Sequence, residues 1–230
     1  MSKKPVFFTE AAYAAGLIIL ALGTAFMERA DLGMSMVVAP AYLIHLKVSE
    51  FLPFYTFGMS EYVFQAALII AVALIMRRFK KAYLFSFVTA VIYGFTLDGA
   101  MALVALIPMD GLAWRIVFFI AGVLLGSAGV ALLFNAYIPP EAYELFVKEI
   151  AGKTRAPVAR VKTFYDIASC VFAVALSFAF FGFGVFRGVR LGTVICAVVN
   201  GPLIGLASKL LHRAFEFRDG LPRLRAFFER

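Results

Sequence analysis

The chain has 230 residues, 63% hydrophobic and only 16% charged, with a mean hydropathy of +0.92, which excludes a soluble globular protein and leaves no room for a separate soluble domain. The net charge of +8 does not point to nucleic acid: every Lys and Arg except Arg29, Lys47, Arg115, Arg187 and Arg190 falls at the N-terminus, in the 77–81 loop, in 148–162 or in the tail from Lys209. Basic loops alternating with nearly neutral ones follow the positive-inside rule, so both termini are expected on the cytoplasmic side.

Six spans are predicted, at 11–28, 55–76, 82–107, 113–134, 164–186 and 190–211, each near the roughly 20 apolar residues that a crossing needs. The first is read as a retained span rather than a signal peptide, because Glu10 separates the basic end from the apolar run. Next comes a nearly uncharged stretch at 34–47. Its helix would cover only ~21 Å, short of a ~30 Å core, so it is expected to be re-entrant, to lie on the interface or to pack inside the bundle. Glu61 lies near the outer end of the second span, with Tyr62 beside it and Gln65 one turn on. Asp98 falls in the outer third of the third span, which also carries Tyr93.

Gly122, Gly126 and Gly129 in the fourth span, and Gly201 with Gly205 in the sixth, have the spacing of closely packed helices. Residues 139–152 alternate apolar and charged faces and are expected along the cytoplasmic surface, with Pro139 and Pro140 opening the helix. Asn135, Asp166 and Asn200 are the polar residues of the later spans. Asn200-Gly201-Pro202 is expected to break the sixth helix near mid-membrane. Residues 214–230 mix phenylalanine with arginine and read as a membrane-surface helix, broken near Gly220 and Pro222. Cys170 and Cys196 sit inside apolar segments as packing residues.

Shifted by 107 residues, the chain matches itself. Thr56-Phe57 falls on Thr163-Phe164, Ala66 on Ala173, Phe79 on Phe186, Leu84 on Leu191, Ala90-Val91 on Ala197-Val198, Gly94 on Gly201, Ala100 on Ala207 and Leu103 on Leu210. The expected fold is an all-α polytopic membrane protein: six transmembrane helices forming two inverted three-helix repeats, each with a short extra helix after its first span. The expected units are 1–110, 111–213 and an amphipathic cytoplasmic tail, 214–230. Units with an odd number of crossings must lie upside down to one another, and many transporters frame a central site this way.

The stretch Leu22-Gly23-Thr24-Ala25 with Ala30-Asp31-Leu32-Gly33-Met34-Ser35, the loop Arg77-Arg78-Phe79-Lys80-Lys81, and Arg190-Leu191-Gly192-Thr193-Val194 leading to Asn200-Gly201-Pro202 together resemble the YczE/YyaS/YitT group of bacterial membrane proteins. The resemblance covers most of residues 15–210. It implies a compact multi-span protein of the bacterial plasma membrane, without a particular activity. Where the group tends to place proline, tryptophan and an acidic residue, this chain has Met34, Ser35 and Met36, so a function tied to that motif is not carried over.

Ionisable side chains within spans are costly unless they face a cavity or a partner. Glu61, Gln65, Asp98, Asn200, Tyr62 and Tyr93 are therefore the candidate substrate-binding residues. Glu28 and Asp31 are expected to converge with Glu61 and Asp98 on the outer half, with Arg29 as counter-charge. Zincin, nucleophile-elbow and phosphate-loop motifs are missing, and His45 and His212 lie at membrane edges. No catalytic residue, metal or cofactor is expected. The function expected is a permease for a small polar, cationic or amine-bearing solute, working by alternating access. The alternatives are the substrate-binding subunit of an energy-coupling vitamin transporter and a non-transporting scaffold. Expected partners are the solute and the lipid bilayer, with a homo-oligomer left open and no nucleic acid.

Overall fold

The computed structural model describes residues 4–156, 158–187 and 189–228, without the side chains of 158 and 159; Lys3 and Arg230, which entered the charge and tail readings, lie outside them. In chain order the elements are β1 (Val6–Phe8), α1 (Thr9–Ala30), α2 (Ala39–Val48), α3 (Phe57–Met76), α4 (Lys81–Ala105), α5 (Gly111–Phe134), α6 (Ala142–Thr154), α7 (Val158–Phe181), α8 (Leu191–Ala214), β2 (Glu216–Arg218) and α9 (Pro222–Phe228). Six of these helices, α1, α3, α4, α5, α7 and α8, are long and apolar enough to cross a membrane. The protein is an all-α polytopic membrane protein, with one short strand pair that the sequence did not announce.

At the centre, α1 crosses α5 in the opposite sense. Gly23 lies against Gly122 and Gly126, and Gly16 lies against Gly129; a Cβ on Gly23 would sit 2.8 Å from the Gly122 carbonyl oxygen. Backbones approach this closely only where side chains are absent. On the flanks, α4 runs alongside α1, as the Tyr13–Thr89 and Thr24–Tyr93 hydrogen bonds show. In the same way α8 runs alongside α5, with Gly192 on Phe119 and Asn200 by Ser127. The short helix α2 packs on α3 and α7, and α6 packs on α7 and α3.

The contacts of α1 with α4, α2 with α3 and α2 with α7 have counterparts in α5 with α8, α6 with α7 and α6 with α3, but α3 and α4 are tightly joined while α7 and α8 touch little, and the α4–α6 contact has no comparable α8–α2 contact among the described residues. A Cβ on Gly94 would meet the Gly58 carbonyl oxygen at 2.7 Å, whereas Gly201, its partner in the 107-residue register, faces open space. Gly205 does as well, so the expected packing role of the Gly201–Gly205 pair is not found.

The short helices both start deep in the bundle. The first backbone amide of α6, at Ala142, donates to Gln65 Oε1 at 3.0 Å, midway along α3. Further on, Lys153 donates to the carbonyl of Ile75 at the end of α3. From Ala142 to Ala151 the helix buries Ala142, Tyr143, Leu145, Val147 and Ala151, so it is not the surface helix expected from its charge pattern. Its apolar face is covered by protein, and its charged face reaches Lys80 and Arg78 through Glu149. Helix α2 begins among buried residues, Ala39 to Ala41, and ends near Phe181, over which Lys47 lies. At ten residues it is too short to span.

Helix α8 continues through Pro202. The expected break at Asn200-Gly201-Pro202 is therefore absent. Proline there withholds only one amide, leaving the Val198 carbonyl without its helical donor.

Both described ends of the chain lie on one face. Strand β1 pairs in parallel with β2, in register Val6 to Glu216 and Phe8 to Arg218. The carboxylate of Glu10 accepts from Gly220 N at 3.0 Å, Leu221 N at 2.8 Å and Tyr137 OH at 2.7 Å. The rings of Phe227 and Phe228 close on Phe85 of α4. The tail, expected as a surface helix broken near Gly220 and Pro222, is interrupted there: a strand, Glu216–Arg218, precedes the break and a seven-residue helix, Pro222–Phe228, follows it, both tied to the bundle.

Candidate functional site

A cavity of ≈ 80 Å³ lies where the halves meet. It holds several waters or one small solute, since a water needs about 10–15 Å³ of such space. Thr24 of α1 and Tyr93 of α4 form one wall, Ser127 of α5 and Asn200 of α8 the other. The two walls are built alike: Tyr93 and Thr24 share a hydroxyl–hydroxyl bond of 2.8 Å, and Ser127 Oγ donates to Asn200 Oδ1 at 3.5 Å. Glu141, Tyr143 and Glu144 from the start of α6 and Lys162 and Asp166 from α7 complete the lining. Here the ammonium of Lys162 sits 3.2 Å from Glu144 and 3.1 Å from Asp166.

At and behind the α6 wall lies an almost wholly buried polar cluster. Glu61 Oε2 accepts from Tyr143 OH at 2.8 Å and from Gln65 Nε2 at 3.2 Å. The same Gln65 amide nitrogen donates to Glu141 Oε2 at 3.3 Å. One glutamine therefore bridges two carboxyl groups while its oxygen holds the first amide of α6. Glu61 is wholly buried and Glu141 is 4% exposed; in each, Oε1 has no partner. Burial first, and then the charge of Glu61, pushes the Glu141 carboxyl well above the ordinary carboxylate range. Burial likewise raises the Tyr143 phenol.

Of the residues singled out in the sequence, Tyr93 and Asn200 line the cavity, and Glu61 and Gln65 stand directly behind it. Asp98 and Tyr62 do not belong there. The Asp98 carboxylate accepts from Gly58 N at 2.8 Å and from Thr56 Oγ1 at 2.6 Å, so it caps α3, whose opening amides have no helical acceptor. Tyr62 is half-buried against Gly94 in the α3–α4 contact.

The expected gathering of carboxylates also dissolves. Tyr42 OH donates to Glu28 at 3.4 Å, and Asp31 is held by Arg115 at 2.6 Å and Arg190 at 2.8 Å rather than by Arg29. Each is satisfied on its own, away from Glu61. The acidic groups that do adjoin the cavity, Glu141, Glu144 and Asp166, come with Lys162 from the starts of α6 and α7.

Sequence reasoning missed Glu141, Tyr143, Glu144 and Lys162. A signal existed: a helix too short to span, placed in the second half where α2, buried at its start, stands in the first, implies that α6 also dips inward. Its first residues then fall at mid-depth. Both cysteines are free, and among the described residues no group of three His, Cys, Asp or Glu is placed to hold a metal ion.

A polytopic membrane protein with six candidate spans and a small cavity, apolar for the most part with a few polar groups, is the class that fold and site define. Within it, the chain belongs to a family described as of unknown function, DUF6198, which matches residues 7–209. No curated protein and no solved structure matches the chain.

Proposed function

We propose that the protein is a permease that moves a small polar solute through the cavity by alternating access between two inverted repeats. The observation that carries this reading is the pair Gly94 and Gly201: matched in sequence, one is pressed against Gly58 and the other faces open space. Two equivalent half-structures in different states around one cavity are what a rocking carrier needs at each end of its cycle. The antiparallel α1–α5 crossing and the repeated Thr24–Tyr93 and Ser127–Asn200 bonds support the inverted relationship. In the second half Tyr165 stands where Gly58 stands in the first, so closure there would bring α8 onto a ring rather than onto backbone.

The solute is small, because the cavity is far below the 300 Å³ or so at which drug-sized ligands begin. That favours the permease over a vitamin-capturing subunit. The unpartnered Glu141 carboxyl favours a solute with an amine or other cationic donor. By the distribution of basic residues, the face carrying both chain ends is cytoplasmic in a bacterial plasma membrane. The kinship suggested by the YczE/YyaS/YitT resemblance fits this setting, and no enzymatic activity forms part of the reading.

Purified protein in liposomes, offered a panel of small labelled amines, amides and polyols, tests it directly. Accumulation of at least one solute above protein-free liposomes, abolished by Gly201→Trp, is the expected result. Equal flux with and without protein for the whole panel overturns it.

A further inference from the structure

Four carboxyl groups, Glu61, Glu141, Glu144 and Asp166, crowd the inner end of the cavity around one ammonium, Lys162. Lys162 is engaged by Glu144 and Asp166. Among the described residues no Lys, Arg or His forms an ion pair with Glu61 or Glu141. The groups near enough for charge to be felt between them and this pair are Tyr13 on α1, Tyr93 on α4, Tyr143 and Glu144 on α6, and Lys162 and Tyr165 on α7. Two carboxylates side by side in a dry interior are not both held ionised. A proton or a cation must therefore join them.

The hydrogen bonds show where. The amide of Gln65 donates to Oε2 of each glutamate, so on both it is Oε1 that is left open, and both Oε1 atoms are buried without a partner. Glu141 lines the cavity directly, while Glu61 is reached through Tyr143, whose hydroxyl donates to it. One carboxyl is thus the gate-side member of the pair and the other its reserve.

We propose that Glu141 and Glu61, bridged by Gln65, form a proton-binding pair, and that the permease exchanges this proton for a small organic cation. As the cation enters the cavity, the O–H bond at Glu141 Oε1 breaks, the proton passes to cavity water, and the carboxylate faces the incoming cation. One positive charge replaces one positive charge. On release the reverse transfer restores the carboxyl. The exchange rests on the permease reading, whereas the protonated pair stands without it.

The probe is guanidinium, which keeps its charge at all working pH values and does not leak as a neutral species. Infrared difference spectra of full-length protein in lipid are expected to show a carboxylic-acid band at neutral pH that shifts in heavy water. Guanidinium at constant pH should diminish this band and acidify a weakly buffered suspension by about one proton per protein. Glu141→Gln should abolish the release, and Glu61→Gln should reduce it. In liposomes, a pH gradient, acidic on the cation-free side, should raise guanidinium accumulation several-fold over no gradient.

Absence of the acid band in the parent protein overturns the pair whether or not the variants fold. Equal proton release by sodium chloride overturns the choice of an organic cation. If guanidinium releases a proton but no solute crosses liposomes, the exchange fails together with the permease reading. If solute crosses with no dependence on the pH gradient, the exchange fails and the permease survives.

Discussion

Tyr93 and Asn200 face the same cavity from opposite halves, each joined to a hydroxyl of the central helix beside it: Tyr93 to Thr24, Asn200 to Ser127. Tyr93 and Asn200 are matched in the 107-residue register, while Ser127 lies one helical turn from Ala131, the match of Thr24. Their chemistry differs, a phenol against an amide, so the cavity has one wall that donates through a hydroxyl and another that offers both donor and acceptor. The two walls of the cavity are thus chemically unlike.

The glycines at the matched positions should respond oppositely to a single methyl group. Gly94→Ala forces a Cβ against the Gly58 carbonyl and should cost about 1–3 kcal/mol, the usual range for overpacking. Gly201→Ala meets nothing and removes a flexible residue from a helix, a gain of about 0.5–1 kcal/mol. Thermal unfolding in detergent should lower the midpoint for the first and hold or raise it for the second. Equal losses would mean that α8 packs on something not seen here.

Removing the Asp98 side chain tests its assignment as a helix cap. Asp98→Ala frees the Gly58 amide and the Thr56 hydroxyl and should destabilise by ~1–2 kcal/mol, with solute affinity unchanged. A drop in affinity at unchanged thermal midpoint would return Asp98 to the binding site.

The raised Glu141 carboxyl gives stability a pH dependence of definite sign. Folded protein keeps this proton above the ordinary carboxylate range while unfolded chains lose it, so folding is favoured at acid pH and weakened as pH rises through the folded value. The thermal midpoint of the parent should therefore fall between weakly acidic and alkaline pH. Glu141→Gln, which cannot ionise, should flatten that slope, measured by scanning fluorimetry at several pH values. An unchanged slope would assign the dependence to another group.

Glu10 is the anchor of the C-terminal tail. Glu10→Ala leaves the amides of Gly220 and Leu221 and the Tyr137 hydroxyl without their acceptor. Limited proteolysis should then cut between Phe215 and Leu221 several-fold faster than in the parent. Liposome flux should be preserved, since no tail residue lines the cavity. Loss of flux on tail release would favour the scaffold reading.

The spans were legible because a helix surrounded by lipid and protein must be apolar on every side, and such runs stand out in any sequence. Gly122, Gly126 and Gly129 were legible for a related reason: only missing side chains let α1 and α5 meet. Asp98 and Glu61 were not distinguishable, since position along a span gives depth but not direction, and only the α3–α4 contact turns Asp98 toward the amides of its neighbour. Glu141 escaped because α6 is amphipathic, a pattern that fits a membrane surface and a half-buried re-entrant helix equally well. The β1–β2 pair was beyond reach, as three-residue strands separated by the whole chain leave no local periodicity.

That strand pair holds β1 and β2 about one strand spacing, ~4.8 Å, apart. A peptide joining the two ends of the polypeptide, with a new start at the loop before Gly111, would make the second half first in synthesis. If the halves are independent folding units, the permuted protein should assemble into the same bundle. Gene order and spatial order are, in this architecture, separable properties.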